Sequence, residues 1–545
     1  MSNKKIFIFA NISAILFLVI FSAAFRFSGI SKNYPYMNYV DEGHIVRHAM
    51  NMYRDNNTRA HWYQYPSGMM NITIFTVKLY NFFSNEKQNF REQVKVYPLV
   101  NFYRDKYSNK KDIELNYNIC DPPIFLMGGR FAVALMGTIS VIFMFFILRI
   151  FFPFNISFLG AVVFSLIPAV TIHSQVVNND IPMTLASSVI IFSTFYWSKT
   201  TSLKYLMIAA LFTGFSTSCK YSGFLFVGFI GFVVFAQNIS LYSKIKCALI
   251  CAPFYILGVY LIFPGLFGIE AEVINTFLWD LNYYKTKTGN YPSALLVLSK
   301  SNEMGLPILI FGTLGFICSF FDKQNRRIFV PCIIWLSLFL WTFLRHTYQP
   351  PRNLFQTTPI VLLFCVYFIW IACKFVCIRR QNYHTYLTSA VLSILIIFQF
   401  FNTYIKQKEW LNDIDSRITA TNWLRDNINS KSSVIYHEGL AVAPVILKEL
   451  NYKNNLFFQK REKLEPFDSY LSGDYILLPA RLQPPSKPNE ETQPTLDKLL
   501  LFLDINGYSP VFETSRYESS LWYGFWRNTK AGITIYKKEL PSSPE

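Results

Sequence analysis

The feature that most constrains this chain is an apolar window of about 20 residues that recurs from Ile6 to Tyr404 and then stops. Inside a bilayer the backbone has no water to bond. A crossing segment must satisfy its own N–H and C=O groups, and a helix of that length does so. The windows fall at 6–25, 124–148, 156–173, 182–197, 203–219, 221–237, 246–264, 304–321, 328–344, 354–377 and 384–404. The expected fold is a polytopic α-helical membrane protein with about eleven transmembrane helices. Only 15% of residues are charged, against the ~25% usual in a soluble domain, and 52% are hydrophobic. Lys4 and Lys5 precede the first window as in a signal peptide, but the apolar run is long for that role, and an uncleaved anchor is expected.

Charge along the connections predicts a direction. With the N-terminus in the cytoplasm, the inner connections hold Lys4/Lys5, Arg149, Lys199/Lys204, Lys244/Lys246, Lys323/Arg326/Arg327 and Arg379/Arg380, with Asp322 as their acid. That is the positive-inside pattern. The long loops 26–123 and 265–303 and the tail from 405 then lie outside, in a multi-pass protein of the plasma (inner) membrane. The net charge of +18 is spread through such connections rather than gathered in a basic stripe with interleaved aromatics, so no nucleic-acid partner is expected. Eight of the nine cysteines lie in or beside apolar runs, Cys120 lies in an outer loop, and no Cys/His spacing suits a structural zinc.

Two domains follow: a membrane module, 1–404, and an extracytoplasmic tail, 405–545. In the first outer loop, Asp41–Tyr53 and Ser67–Phe83 carry helical apolar spacing and read as helices lying along the interface, followed by a polar insert at 84–121. The tail alternates a helical stretch, Ile418–Asn429, with strand-like runs at 433–436, 475–478 and 533–536, and has a Pro-rich loop at Leu482–Thr495. It reads as a small α/β domain.

Four clusters could carry chemistry. Asp41-Glu42 follows the first span; adjacent carboxylates repel, which favours a general base, but a solvated pair capping a helix would look the same. His173 to Pro182 is a polar connection containing Asn179 and Asp180, suited either to a site at the outer mouth, near Asp41, or to turn and helix-start chemistry. Lys220-Tyr221 lies between two apolar stretches, as a phosphate ligand or a snorkelling anchor. Arg345-His346 and Arg352-Asn353 bracket Gln349-Pro350-Pro351 on an outer loop, where positive charge runs against topology; guanidinium suits phosphate, and an interfacial arginine also pairs with lipid headgroups. Acids and bases thus gather on one face of one membrane, as a reaction site requires.

The order of these features, with His61-Trp62-Tyr63-Gln64-Tyr65-Pro66 ahead of the second interface helix and Ser218-Cys219-Lys220-Tyr221-Ser222-Gly223 after Asn179-Asp180-Ile181-Pro182, resembles the GT-C membrane glycosyltransferases. Over roughly 1–405 it is similar in particular to bacterial relatives of dolichyl-phosphate-mannose protein mannosyltransferases and to the lipid A aminoarabinose transferase. The resemblance implies a GT-C-like fold, a donor of one sugar on a polyprenyl phosphate, and a hydroxyl acceptor on lipid, glycan or protein. It makes Asp41 the catalytic carboxylate with Glu42 beside it, Asp180 the second-loop acid on the acceptor or metal side, and Lys220 and Arg352, with Arg345, the ligands of the donor phosphate. Tyr65, His173, Asn179 and Tyr221 complete the candidates. Two carboxylates leave a divalent metal open as the one cofactor. The chain departs from the family in Arg352-Asn353, where Arg-Tyr is usual, in Tyr65-Pro66-Ser67, and in the 84–121 insert, departures that bear on the acceptor more than the donor. A carrier or flippase for lipid-linked sugars would instead place ionisable residues mid-membrane on paired broken helices. An assembly protein would tolerate Asp41→Asn.

Overall fold

The computed structural model describes residues 3–34, 40–60, 65–84, 122–267, 271–275, 278, 304–344, 351–378, 383–412, 416–428, 432–436, 453–454, 474–479, 500–513 and 533–538. The insert at 84–121 (beyond Ser84), the 265–303 loop for the most part, His61 to Gln64, Arg345-His346, Cys120 and the Pro-rich loop lie outside them. Two compact units emerge: Met1–Lys32, His44–Arg91 and Ile124–Trp410 form the first, and Asn33–Gly43, Glu92–Pro123 and Leu411–Glu545 the second.

The first unit is helical. Its helices are α1 (Asn3–Phe27), α2 (Val40–Arg54, whose first turn belongs to the second unit), α3 (Gly68–Phe83), α4 (Ile124–Arg149), α5 (Phe154–Ser165), α6 (Pro168–His173), α7 (Asp180–Thr200), α8 (Leu203–Cys219), α9 (Leu225–Ala236), α10 (Leu241–Ile262), α11 (Leu306–Ser319), α12 (Arg326–Leu344), α13 (Thr358–Val376) and α14 (His384–Asn412). Short 3-10 turns at Tyr221–Phe224, Pro264–Leu266 and Pro351–Thr357 join some of them. Among the described residues six helices are long and apolar enough to cross a membrane, and four more are apolar but 10–17 residues long. Large apolar side chains stay exposed along the outer faces of α1 (Phe9, Leu16, Ile20), α10 (Leu249, Ile256, Leu261) and α14 (Ile394, Ile397, Phe401). Such faces need lipid, and the protein is a multi-pass membrane protein.

The expected span 156–173 is broken. α5 stops at Ser165 and α6 begins at Pro168, with Ile167 extended between them. Proline lacks the N–H that would continue the ladder, and it restricts the residue before it. The carbonyls freed by the break are used: Ser165 O accepts from Thr171 Oγ1 and from the buried Arg26 guanidinium, and Leu166 O accepts from Thr403 Oγ1 of α14. The same seam continues through Gln175, whose amide donates to Gln407 Oε1 and accepts from Trp410 Nε1.

α2 differs from its expectation as an interface helix, because it is buried on nearly every face, including Arg47 and His48. α3 does show one lipid-suited face, with Phe75, Leu79, Tyr80, Phe82 and Phe83 exposed and Met69, Met70, Thr73 and Val77 buried. The strongest helix pair for the site is α8 with α10. A Cβ on Gly214 would stand 2.2 Å from Tyr255 O, and one on Gly258 would stand 2.1 Å from Leu211 O. Only paired glycines permit this backbone approach, and it fixes where α8 ends.

In the second unit five strands form a sheet in the order β2-β1-β3-β5-β4, with β1 Ser433–Tyr436, β2 Lys453–Asn454, β3 Tyr475–Pro479, β4 Tyr508–Glu513 and β5 Ile533–Lys538. β1 pairs parallel with β2 and β3, and β5 pairs antiparallel with β3 and β4. α15 (Ser416–Asn427) supplies Ala420 and Leu424 to a core with Val434, Tyr475, Leu477 and Ile535, and Trp423 stacks on Phe512 at 5.1 Å. A helix over a mixed sheet is a small α/β domain.

Candidate active site

At one end of the first unit, α7 begins, α8 ends and the turn before α13 arrives. Asp180 is the first residue of α7, where the helix dipole favours a negative charge. The loop before it is pinned by its neighbour. Asn178 Nδ2 donates to the carbonyls of His173 and Val176, while its Oδ1 accepts from the backbone N–H groups of Asp180 and Ile181. This capping from two residues back holds Asp180 in place although its side chain is only 3% exposed.

Lys220 is the residue at which α8 ends, with extended backbone. Its backbone N–H closes on Ser216 O and its own carbonyl accepts from Gly223 N, so the chain turns directly into the next 3-10 turn. Gly223 lies against the end of α8. A Cβ there would fall 2.4 Å from the Ser216 carbonyl carbon, and no side chain fits. α3 supports the same turn from the other side, since a Cβ on Gly68 would stand 2.2 Å from Ser218 O and Asn71 Nδ2 donates to Ile262 O.

These constraints deliver Lys220 Nζ to two acceptors. It donates to Asp180 Oδ1 at 2.7 Å and to Asn353 Oδ1 at 2.6 Å. Arg352 Nε stands 3.7 Å from the other oxygen, Asp180 Oδ2. Two cations therefore flank one buried carboxylate. In a desolvated setting such pairing decides whether charges are tolerated. The His173 ring meets Phe355 edge-on at 4.9 Å, tying α6 to the turn that carries Arg352.

Of the sequence candidates, Asp180, Lys220 and Arg352 come together, with Asn179 and His173 buried in the adjoining loop and Tyr221 half-buried next to Lys220. Tyr65 is half-buried just ahead of α3. Arg345 lies outside the described residues. Asp41 and Glu42 occupy the first turn of α2 and are buried, at 3% and 0% exposure, which rules out a solvated pair. They belong to the second unit and form a candidate group of their own. Asn353, which sequence reasoning noted as a departure from the family rather than as a site residue, supplies an amide oxygen that accepts from Lys220. No group of three or more His, Cys, Asp or Glu among the described residues could hold a metal ion. Asp180 in particular is engaged by two cationic side chains that a divalent ion would have to displace.

Residues 126–263 match the model of a family described as dolichyl-phosphate-mannose-protein mannosyltransferase. No curated protein matches the sequence. Among solved structures, ArnT from Cupriavidus metallidurans bound to undecaprenyl phosphate superposes with a TM-score of 0.53 at 10% identity, over 97% of this chain and 98% of that one. Its apo state gives 0.52 at 11% identity, covering 98% of each chain. The archaeal oligosaccharyltransferase AglB from Archaeoglobus fulgidus, in complex with an inhibitory peptide and a dolichol-phosphate, gives 0.51 at 11% identity over 96% of this chain and 75% of that one.

Proposed function

We propose that this chain, whose fold is that of the GT-C membrane glycosyltransferases, moves a sugar from a polyprenyl-phosphate carrier to a hydroxyl acceptor on the outer face of the plasma membrane. The observation that carries the reading is the pair of cations on Asp180. A phosphodiester between sugar and lipid bears one negative charge, which Lys220 and Arg352 can take up with Asp180 holding them in place. The matched family and the lipid phosphates held by ArnT and AglB point to the same chemistry.

In the proposed reaction the acceptor oxygen attacks the anomeric carbon, the bond from that carbon to the phosphate oxygen breaks, and its electron pair leaves with the lipid phosphate. The acceptor proton passes to a carboxylate, the role that the family resemblance gives to Asp41, because a neutral hydroxyl is a poor nucleophile near neutral pH. The leaving phosphate gains a second negative charge as it departs, and Lys220 and Arg352 lower the barrier by meeting that charge with preorganised donors. A single displacement inverts the anomeric configuration. The outer-face orientation rests on the basic inner connections. A divalent metal has no part in this proposal, since Asp180 already carries its counter-charges.

The test is transfer from a polyprenyl-phosphate sugar in membranes containing the wild type or Asp41→Asn, read by mass spectrometry of envelope lipids, glycans and proteins. Loss of transfer with normal membrane insertion is expected. Retained transfer sinks the catalytic assignment and leaves the carrier or assembly reading standing.

A further inference from the structure

Buried polar atoms usually find a partner, and each one left without one is destabilising. Around the Asp180 cluster several are left. Asn179 is 1% exposed, and neither its Nδ2 nor its Oδ1 has a hydrogen-bond partner. Gln356 Oε1, Thr358 Oγ1 and Ser222 Oγ are in the same state. These residues lie on the elements that Lys220 draws together: Asn179 precedes Asp180, Ser222 follows Lys220 by two positions, and Gln356 and Thr358 follow Asn353 within the turn and the start of α13.

The structural duty expected of Asn179 is filled by another residue. It stands at the N-cap of α7 but makes no capping bond; Asn178 makes the bonds that the helix start needs. An amide released from capping and buried beside a charged cluster offers one donor side and one acceptor side. Alcohols match that pairing, because each hydroxyl both gives and receives. A lipid tail does not, and a phosphate accepts without donating when fully ionised.

Position completes the argument, which rests on the donor reading above. If Lys220 and Arg352 hold the donor phosphate, its two substituents are a sugar, one glycosidic bond away, and an isoprenoid chain. Unmet polar atoms next in sequence to Asp180 and on the turns that carry the cations suit only the first. We infer that Asn179, with Gln356 and Ser222 on the turns that follow the cations, forms the subsite that reads the hydroxyls of the donor sugar, and that Asn179 sets which sugar is accepted.

The test uses purified full-length protein in detergent, with bare undecaprenyl phosphate and the same lipid carrying mannose, glucose or arabinose as probes. Asn179→Leu keeps the side-chain volume and removes both unmet atoms. It should stay folded, with an unfolding midpoint at or above that of the wild type. It should bind bare undecaprenyl phosphate as the wild type does, and bind the best sugar-bearing lipid ~10- to 100-fold more weakly. Gln356→Leu should give the same split in weaker form. The inference is overturned if Asn179→Leu weakens bare and sugar-bearing lipid equally, if it weakens neither, or if no sugar improves wild-type binding over the bare lipid. A wild type that fails to bind the bare lipid overturns the donor reading itself, a separate outcome.

Discussion

Asp180→Asn perturbs the pairing of Lys220 and Arg352 with one buried carboxylate, and the sign of its effect does not follow from the number of bonds it keeps. The amide has the shape of the carboxylate and can still accept from Lys220, so the change removes charge and little else. At an effective dielectric of about 20, the 2.7 Å pair with Lys220 is a gross attraction of about 6 kcal/mol and the 3.7 Å pair with Arg352 of about 4 kcal/mol. Desolvation already offsets most of this, but it is not refunded when one partner goes; leaving buried cations unbalanced costs roughly 3–5 kcal/mol. Lys220 is 19% exposed and partly screened, which favours the lower end, about 3 kcal/mol. Replacing Lys220 by Met as well removes one of the two stranded cations. The double variant should therefore be more stable than Asp180→Asn alone, with a coupling of about 1.5–2 kcal/mol. The assay is denaturant unfolding of the four proteins in detergent micelles, followed by tryptophan fluorescence. Additivity within about 0.5 kcal/mol would refute the reasoning, because it would mean that Lys220 and Asp180 do not share an energetic fate.

Two further predictions follow from the backbone that delivers these side chains. Gly223→Ala should cost more stability than the about 1–3 kcal/mol of ordinary overpacking and weaken binding of undecaprenyl phosphate, since backbone cannot yield as a side chain can, while Gly231→Ala, with nothing within 4 Å of its new methyl group, should leave both intact. Asn178→Ala should cost about 1–2 kcal/mol in the same unfolding assay, as loss of a helix cap does, whereas Asn179→Ala should cost almost nothing in stability.

What the sequence revealed and concealed has physical causes. The helices were legible because lipid demands long apolar runs, and each expected window carries a described helix, one window being split into two. The break before Pro168 was written in the sequence but outweighed by the continuous apolarity around it. In the tail, β1, β3 and β5 were legible as short apolar runs, while β4 was masked by Pro510. Proline argues against a central strand, and β4 is indeed an edge strand, with its register shifting between Pro510 and Phe512. β2, two residues reading Lys453-Asn454, carries no apolar pattern at all. At the site, Asp180, Lys220 and Arg352 stood out because charge beside apolar runs is costly. Asn353 did not, because a neutral amide in a polar turn gives no such signal. The burial of Asp41 and Glu42 was equally hidden, since nothing in α2's own residues distinguishes an interface helix from an enclosed one.

The two adjacent asparagines before α7 divide their labour. Asn178 spends its whole amide on the loop and the helix start. Asn179 spends none of its own on the fold. A lineage of such chains can therefore drift at position 179, trying one side chain after another against new sugars, without unravelling the scaffold that position 178 maintains. Evolvability in this protein is local, and it resides in the residue that folding leaves idle.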